Sequence, residues 1–279
     1  MNFAKMNGLG NEICVLDARS DTMPLTPEIV AALADPEKGI GFDQLMVLEP
    51  PKNPLGDVYT TIWNADGSMV GACGNGTRCV AWYLMRESDQ SHVVIETAAG
   101  LLGASRAGEN AISVDMGEPG LDWTQIPMSE RMDTLRIELQ VGPLDDPIMH
   151  GPGCVSMGNP HVVFFVHDAE FAPVEKVGPM IEHHPLFPQG VNVGFAEIVA
   201  RDHIRLRVWE RGAGLTKACG TGACAALVAA ARRRLTDRAA RVKVDGGDMR
   251  IEWRESDNHV IMTGPVELEA EGTIGAMAG

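Results

Sequence analysis

The sequence has no basic stripe. Its 279 residues carry a net charge of −15, which argues against nucleic acid or an anionic membrane surface as a partner. An acidic surface still allows a small anionic substrate, because one site can be locally positive. No apolar run approaches the roughly 20 residues of a membrane span, so no membrane association is expected. The opening Met1-Asn2-Phe3-Ala4-Lys5 lacks the basic-then-apolar pattern of a secretory signal. A cytoplasmic protein with reduced thiols is the expectation. The cysteines at 14, 73, 79, 154, 219 and 224 include no Cys-x-x-Cys pair. Cys73 to Cys79 and Cys219 to Cys224 match no usual zinc spacing, so no metal is expected. Gly8-Leu9-Gly10-Asn11-Glu12-Ile13 lacks the third glycine of a dinucleotide fingerprint and leads into a strand, so it does not support nucleotide binding. The six lysines offer no setting suggestive of a Schiff base, and no cofactor is expected.

What the chain does contain is a repeated phrase. Ala72-Cys73-Gly74-Asn75-Gly76 and Ala218-Cys219-Gly220-Thr221-Gly222 each place a cysteine before a Gly-x-Gly turn and an apolar run suited to a helix. A cysteine there sits at a helix N-terminus, where unpaired N–H groups and the positive end of the dipole favour a thiolate. One cysteine at a helix start is more often an inert small residue. Two in duplicated contexts suggest a paired acid and base. Cys14, Cys79, Cys154 and Cys224 read as core.

The duplication extends along the chain. Gly10-Asn11 and Gly158-Asn159 each precede a strand-like run, and Gln44 and Asn192 recur at the same separation as Asn11 and Asn159. Cys73 and Cys219 depart from that separation by two residues, and Trp63 and Trp209 each stand ten residues before the cysteine. Helices are predicted over 26–35 and 74–87 in one half and over 173–184 and 220–235 in the other. Strands are predicted over 92–97, 101–106 and 111–116, matched by 241–244, 248–253 and 259–263. Ordered landmarks at a nearly fixed offset point to an internal repeat. Short strands with Gly-rich turns argue against a parallel βαβ sheet. The expected fold is α+β, two like domains with the site in a cleft between them, dividing near Glu118-Pro119-Gly120.

In that cleft the two helix N-termini would point at one spot. A carboxylate could accept the N–H groups of Gly74-Asn75 and Gly220-Thr221. One of Cys73 and Cys219, as thiolate, would remove an α-proton while the other, as thiol, supplies a proton to the opposite face. A helix terminus lowers a thiol pKa from about 8.5, so one thiolate is expected near neutral pH. His161 and Glu210, beside the repeated landmarks, would tune that balance.

The residues quoted so far, with Asn64-Ala65-Asp66-Gly67-Ser68, Gly158-Asn159-Pro160-His161, Glu210-Arg211-Gly212 and the continuations to Arg78-Cys79 and Ala223-Cys224, resemble the diaminopimelate epimerase family over the whole length. The resemblance implies two pseudo-symmetric, mostly antiparallel β-barrel-like domains, each around a helix, with the last strand returning to the first domain. Expected bounds are 1–119 with 267–279 for the Cys73 domain and 120–266 for the Cys219 domain. It implies interconversion of LL- and meso-diaminopimelate, a small diamino diacid, without pyridoxal phosphate or metal. Cys73 is then nominally the proton donor and Cys219 the acceptor. Substrate contacts carry over to Asn11, Gln44, Asn64, Asn159, Asn192, Glu210 and Arg211, with the backbone of Gly74, Asn75, Gly220 and Thr221. Two carboxylates and two ammonium groups call for carboxamides, an acid and a guanidinium. The competing reading is a proline or hydroxyproline racemase or epimerase of the same fold, which usually has His where this chain has Asn75. The resemblance also implies a homodimer, although Ala270 replaces an aromatic residue usual at the dimer contact.

Overall fold

The fold was taken from a computed structural model, which describes residues 1–20, 23–71, 73–143 and 145–275. Ala72 of the first cysteine motif, and residues 276–279 of the expected first domain, lie outside the described residues. The chain divides into two compact units, Met1–Asp115 with the chain from Thr263 onward, and Met116–Met262. The divisions therefore fall at 115/116 and 262/263, against the expected 119/120 and 266/267.

The first unit begins with β1 (Asn2–Asn7), β2 (Glu12–Asp17), α1 (Pro27–Ala34), β3 (Gln44–Glu49) and β4 (Val58–Asn64). The two-residue β5 (Met69–Val70), α2 (Gly74–Arg86), β6 (His92–Thr97), β7 (Gly100–Gly108) and β8 (Ala111–Asp115) follow. β1 pairs antiparallel with β2, and β2 runs parallel to β3 with Ile13 opposite Gln44. β3 is antiparallel to β4, which is parallel to β6, and β6, β7 and β8 form an antiparallel meander. α2 packs against β1, β2, β3, β6, β7 and β8. A helix that touches strands across the width of the sheet requires the sheet to curl around it.

The second unit contains β9 (Gln140–Val141), β10 (Met149–His150), β11 (Gly153–Ser156), β12 (Pro160–Phe165), α3 (Val174–Glu182), β13 (Asn192–Ala200) and β14 (His203–Glu210). It continues through β15 (Gly214–Thr216), α4 (Gly220–Arg232), β16 (Ala239–Val244), β17 (Gly247–Trp253) and β18 (Val260–Pro265), whose last residues belong to the first unit. The pairing repeats that of the first unit. β12 is parallel to β13 with His161 opposite Asn192, β13 antiparallel to β14, β14 parallel to β16, and β16 antiparallel to β17. α4 packs on β11 to β14, β16 and β17. The final strand, β19 (Glu267–Thr273), pairs antiparallel with β1.

Antiparallel pairs predominate, but each unit also has two parallel pairs, which corrects the expectation of no parallel βαβ pairing. The cause is the helices themselves. The chain leaves β2, crosses as α1 and returns as β3 in the same direction, and it does the same from β4 through α2 to β6.

Local sequence explains the helix starts. Thr26 caps α1 by accepting the Ile29 N–H at 3.3 Å, with Pro27 and Glu28 in the first turn, and such a cap contributes about 1 kcal/mol. Val30 and Leu33 of α1 then pack with Cys14, Leu16, Leu45 and Val47. In the second unit Val174, Val177 and Ile181 of α3 pack on Val193, Phe195 and Phe164, each side chain contributing about 1.5–3 kcal/mol by burial. α2 and α4 are the central helices, and each begins immediately after its cysteine.

Candidate active site: two cysteine-capped helices

Cys73 is the N-cap of α2. Its backbone is extended, and its Sγ accepts the Gly76 N–H at 3.2 Å. Cys219 caps α4 in the same way, with Sγ accepting the Gly222 N–H at 3.4 Å. The repeated Gly-x-Gly follows from packing. A Cβ on Gly76 would come within 2.4 Å of Met46 Sδ, and one on Gly222 within 3.2 Å of Cys219 Sγ. Glycine at the third helical position leaves room for the Met46 side chain in the first unit and for the Cys219 thiol in the second. Sulfur is a weak acceptor, so these caps organise the thiol more than they stabilise the helix.

In the first unit Gln44 and Asn64 face each other across β3 and β4, with Gln44 Nε2 donating to Asn64 Oδ1 at 3.0 Å. Asn64 Nδ2 donates to Ser68 Oγ at 3.0 Å. Gln44 lies two residues from Met46, so both project from the β3 face that meets α2. Asn75 is buried, and its Oδ1 accepts Arg78 Nη2 at 3.0 Å. Gly8 packs against it, because a Cβ there would lie 3.3 Å from Asn75 Cβ. Beyond Gly8, Leu9 and Gly10 take positive φ values of 63° and 79°. This turn delivers Asn11, whose Nδ2 donates to Asp43 Oδ2 at 2.9 Å.

The second unit holds its site residues in separate hydrogen-bonded groups. His161 Nε2 contacts Asn159 Oδ1 at 2.9 Å, and Asn159 Nδ2 donates to Thr221 Oγ1 at 3.3 Å. Thr221 Oγ1 lies 3.6 Å from Cys219 Sγ. The charge of Glu210 acts on the Cys219 sulfur, and its Oε1 accepts the Thr216 hydroxyl at 2.5 Å. Asn192 Nδ2 donates to Pro160 O at 2.9 Å, and its Oδ1 accepts the Arg211 N–H at 3.0 Å. Arg211 extends over Gly190, with Nη1 donating to Gln189 O at 2.9 Å.

The electrostatics of Cys219 differ from the expectation of a helix-lowered thiol. Cys219 is only 4% exposed. Burial pushes its thiol well above the ordinary range, and the negative charge of Glu210 raises it further. The hydrogen bonds from Thr221 and the Gly222 N–H oppose that rise without cancelling it. Burial also raises the Glu210 carboxyl, against the hydrogen bond from Thr216. Desolvation outweighs the helix terminus here because a thiolate loses more water than one N–H restores. His161 is fully buried and pushed down to about 3 by burial, with the Arg211 charge adding to the shift. Its imidazole is therefore neutral near pH 7, and a neutral Nε2–H donating to Asn159 Oδ1 orients the carboxamide. Of the two expected tuning residues, Glu210 acts on the Cys219 sulfur through its charge, and His161 meets Asn159.

The other cysteines are of a different kind. Cys14, Cys79 and Cys154 are fully buried and pushed up to about 12 by desolvation, and Cys224 is fully buried as well. Among the described residues no group of three His, Cys, Asp or Glu side chains is placed to hold a metal ion. Nor is any described helix long and apolar enough to cross a membrane. Thr216 and Glu182, which contact Glu210 and Trp209, were not singled out from the sequence. Thr216 carries no pattern that marks it, whereas Gly178 and Glu182 stand four residues apart on one helix face.

The duplicated α+β scaffold thus carries a cap cysteine at the central helix of each half. The sequence pattern of the diaminopimelate epimerase family matches residues 3–121 and 153–269. A diaminopimelate epimerase of Caulobacter vibrioides is 57% identical to this chain, covering 98% of it and 96% of the relative. One from Phenylobacterium zucineum is also 57% identical, covering 98% and 97%. Among solved structures, a hydroxyproline epimerase from Agrobacterium vitis with bound trans-4-hydroxy-L-proline superposes with a TM-score of 0.67. It is 16% identical and covers 98% of this chain and 91% of that one, so it speaks for the fold. The chain belongs to the diaminopimelate epimerase family.

Proposed function

We propose that this protein interconverts LL- and meso-2,6-diaminopimelate by two-base proton transfer between Cys73 and Cys219, in the biosynthesis of lysine and cell-wall precursors. The observation that carries the reading is the pair of equivalent thiols, each capping its helix and each bonded to the N–H three residues on, in a chain 57% identical to named diaminopimelate epimerases. One thiolate takes the α-proton, the electron pair delocalises into the α-carboxylate, and the other thiol delivers a proton to the opposite face. The configuration inverts and the two sulfurs exchange protonation states. N–H groups of Gly74, Asn75, Gly220 and Thr221 stabilise the carboxylate as charge builds on it.

In this mechanism Glu210 governs Cys219. With its thiol raised by burial and by the Glu210 charge, Cys219 rests as the thiol. Asn11, Gln44, Asn64, Asn159, Asn192 and Arg211 bind the rest of the substrate. The Arg211 guanidinium suits the distal carboxylate, and the carboxamides suit the ammonium groups and remaining oxygens. Holding the distal L-centre fixes which α-carbon reacts. The reaction as written needs no cofactor or metal. We further propose a cytoplasmic homodimer that engages neither nucleic acid nor membrane.

The test is incubation of purified protein with LL-diaminopimelate in deuterium oxide. Meso product carrying one deuterium at one α-carbon is expected. Turnover of proline or hydroxyproline in its place would overturn the assignment of substrate.

A further inference from the structure

We infer that Glu182 is a positioning residue that clamps the Trp209–Gly212 segment and thereby sets Glu210 and Arg211, an inference that rests on the roles proposed for those two residues. Glu182 closes α3 and is 6% exposed. Its Oε2 accepts the Trp209 indole N–H at 2.7 Å, and its Oε1 accepts the Gly212 backbone N–H at 2.8 Å. The two oxygens therefore grip the chain on either side of Glu210 and Arg211. Charge-assisted bonds of this kind are about twice as strong as neutral ones.

The same helix face shapes the other half of the clamp. Gly178 lies one turn before Glu182, and a Cβ there would fall 2.4 Å from Trp209 Cγ. The indole consequently lies flush on α3 with its N–H brought to the carboxylate. A glutamine could offer only one acceptor oxygen for two donors, so ionised glutamate is the residue type the geometry demands. The first unit does without this device. Its α1 ends at Ala34, and the Trp63 indole N–H, although buried, has no hydrogen-bond partner among the described residues. The clamp thus belongs to the half that carries an acid, Glu210, beside its thiol.

The experiment compares Glu182→Ala and Glu182→Gln with the parent protein in epimerisation of diaminopimelate and in alkylation of Cys219 by iodoacetamide near neutral pH, followed by peptide mass spectrometry. Displacing the reacting groups by about an ångström can cost about 100-fold. Glu182→Ala is expected to lose about that much kcat/KM, and Glu182→Gln, which keeps one acceptor, about 10-fold. Cys219 alkylation should change several-fold in Glu182→Ala while Cys73 alkylation stays at the parent rate. Parent kcat/KM and parent Cys219 alkylation in folded variants, even with a lowered Tm, would overturn the inference. If Glu182→Ala does not fold, Glu182→Gln alone decides by the same two readouts. If the parent itself fails to epimerise diaminopimelate, the functional reading falls, and the Cys219-against-Cys73 alkylation ratio still judges the clamp.

Discussion

The negative charge of Glu210 raises the thiol of Cys219, and one desolvated environment raises both groups. The corresponding position in the first unit holds Asn64, whose carboxamide bonds to Gln44 and Ser68. Two near-identical helix caps are thereby given unequal chemistry by one strand-end residue each.

Replacing Glu210 by Gln removes the negative charge beside Cys219 and retains a hydrogen-bonding side chain of the same size. Cys219 should then ionise at lower pH, by on the order of one pH unit. The pH dependence of Cys219 alkylation measures this, and an unmoved midpoint would assign the raised thiol to burial alone.

Cys73→Ser and Cys219→Ser should each lower the epimerisation rate by about 100-fold or more, because a serine hydroxyl is far less acidic than a thiol. Cys79→Ser and Cys224→Ser, which alter buried core positions, should act through stability. Chiral chromatography of the product, set beside thermal melts, separates the two classes.

Gly178→Ala should destabilise the protein by about 1–3 kcal/mol, since the new methyl meets a rigid indole and overpacking outweighs the gain in helix propensity. Chemical denaturation reads the difference. Unchanged or increased stability would show that Trp209 does not lie flush on α3.

Burial holds the folded pKa of His161 at about 3, below the usual value near 6.5. Between those values the unfolded chain binds a proton that the folded chain does not. Stability contributed by this residue is therefore complete above pH 6.5 and is lost as pH falls, at about 1.4 kcal/mol per pH unit. His161→Gln, which does not titrate, should flatten denaturant-measured stability over that window. An equally steep acid limb in the variant would place the proton uptake elsewhere.

Local signals made much of this legible from residues alone. β6 occupies the predicted 92–97, and α2 and α4 start directly after their cysteines, because periodicity, cap geometry and turn chemistry act over a few neighbouring residues. The repeat was legible for the same reason, through Asn11 with Asn159, Gln44 with Asn192 and Trp63 with Trp209. The parallel pairing of β4 with β6 was not. It depends on where a crossover helix returns the chain, which short-range pattern does not encode.

Sequence order alone placed a cysteine at the head of each central helix and an acid in one half opposite a carboxamide in the other. Packing settled how those groups behave. The same burial raises Cys219 and Glu210 and neutralises His161, while Glu182 reaches across 27 and 30 residues to hold Trp209 and Gly212. Helix caps are local contacts between neighbours in the chain. Desolvation and long-range hydrogen bonds arise only when distant segments exclude water together, so they belong to the folded molecule.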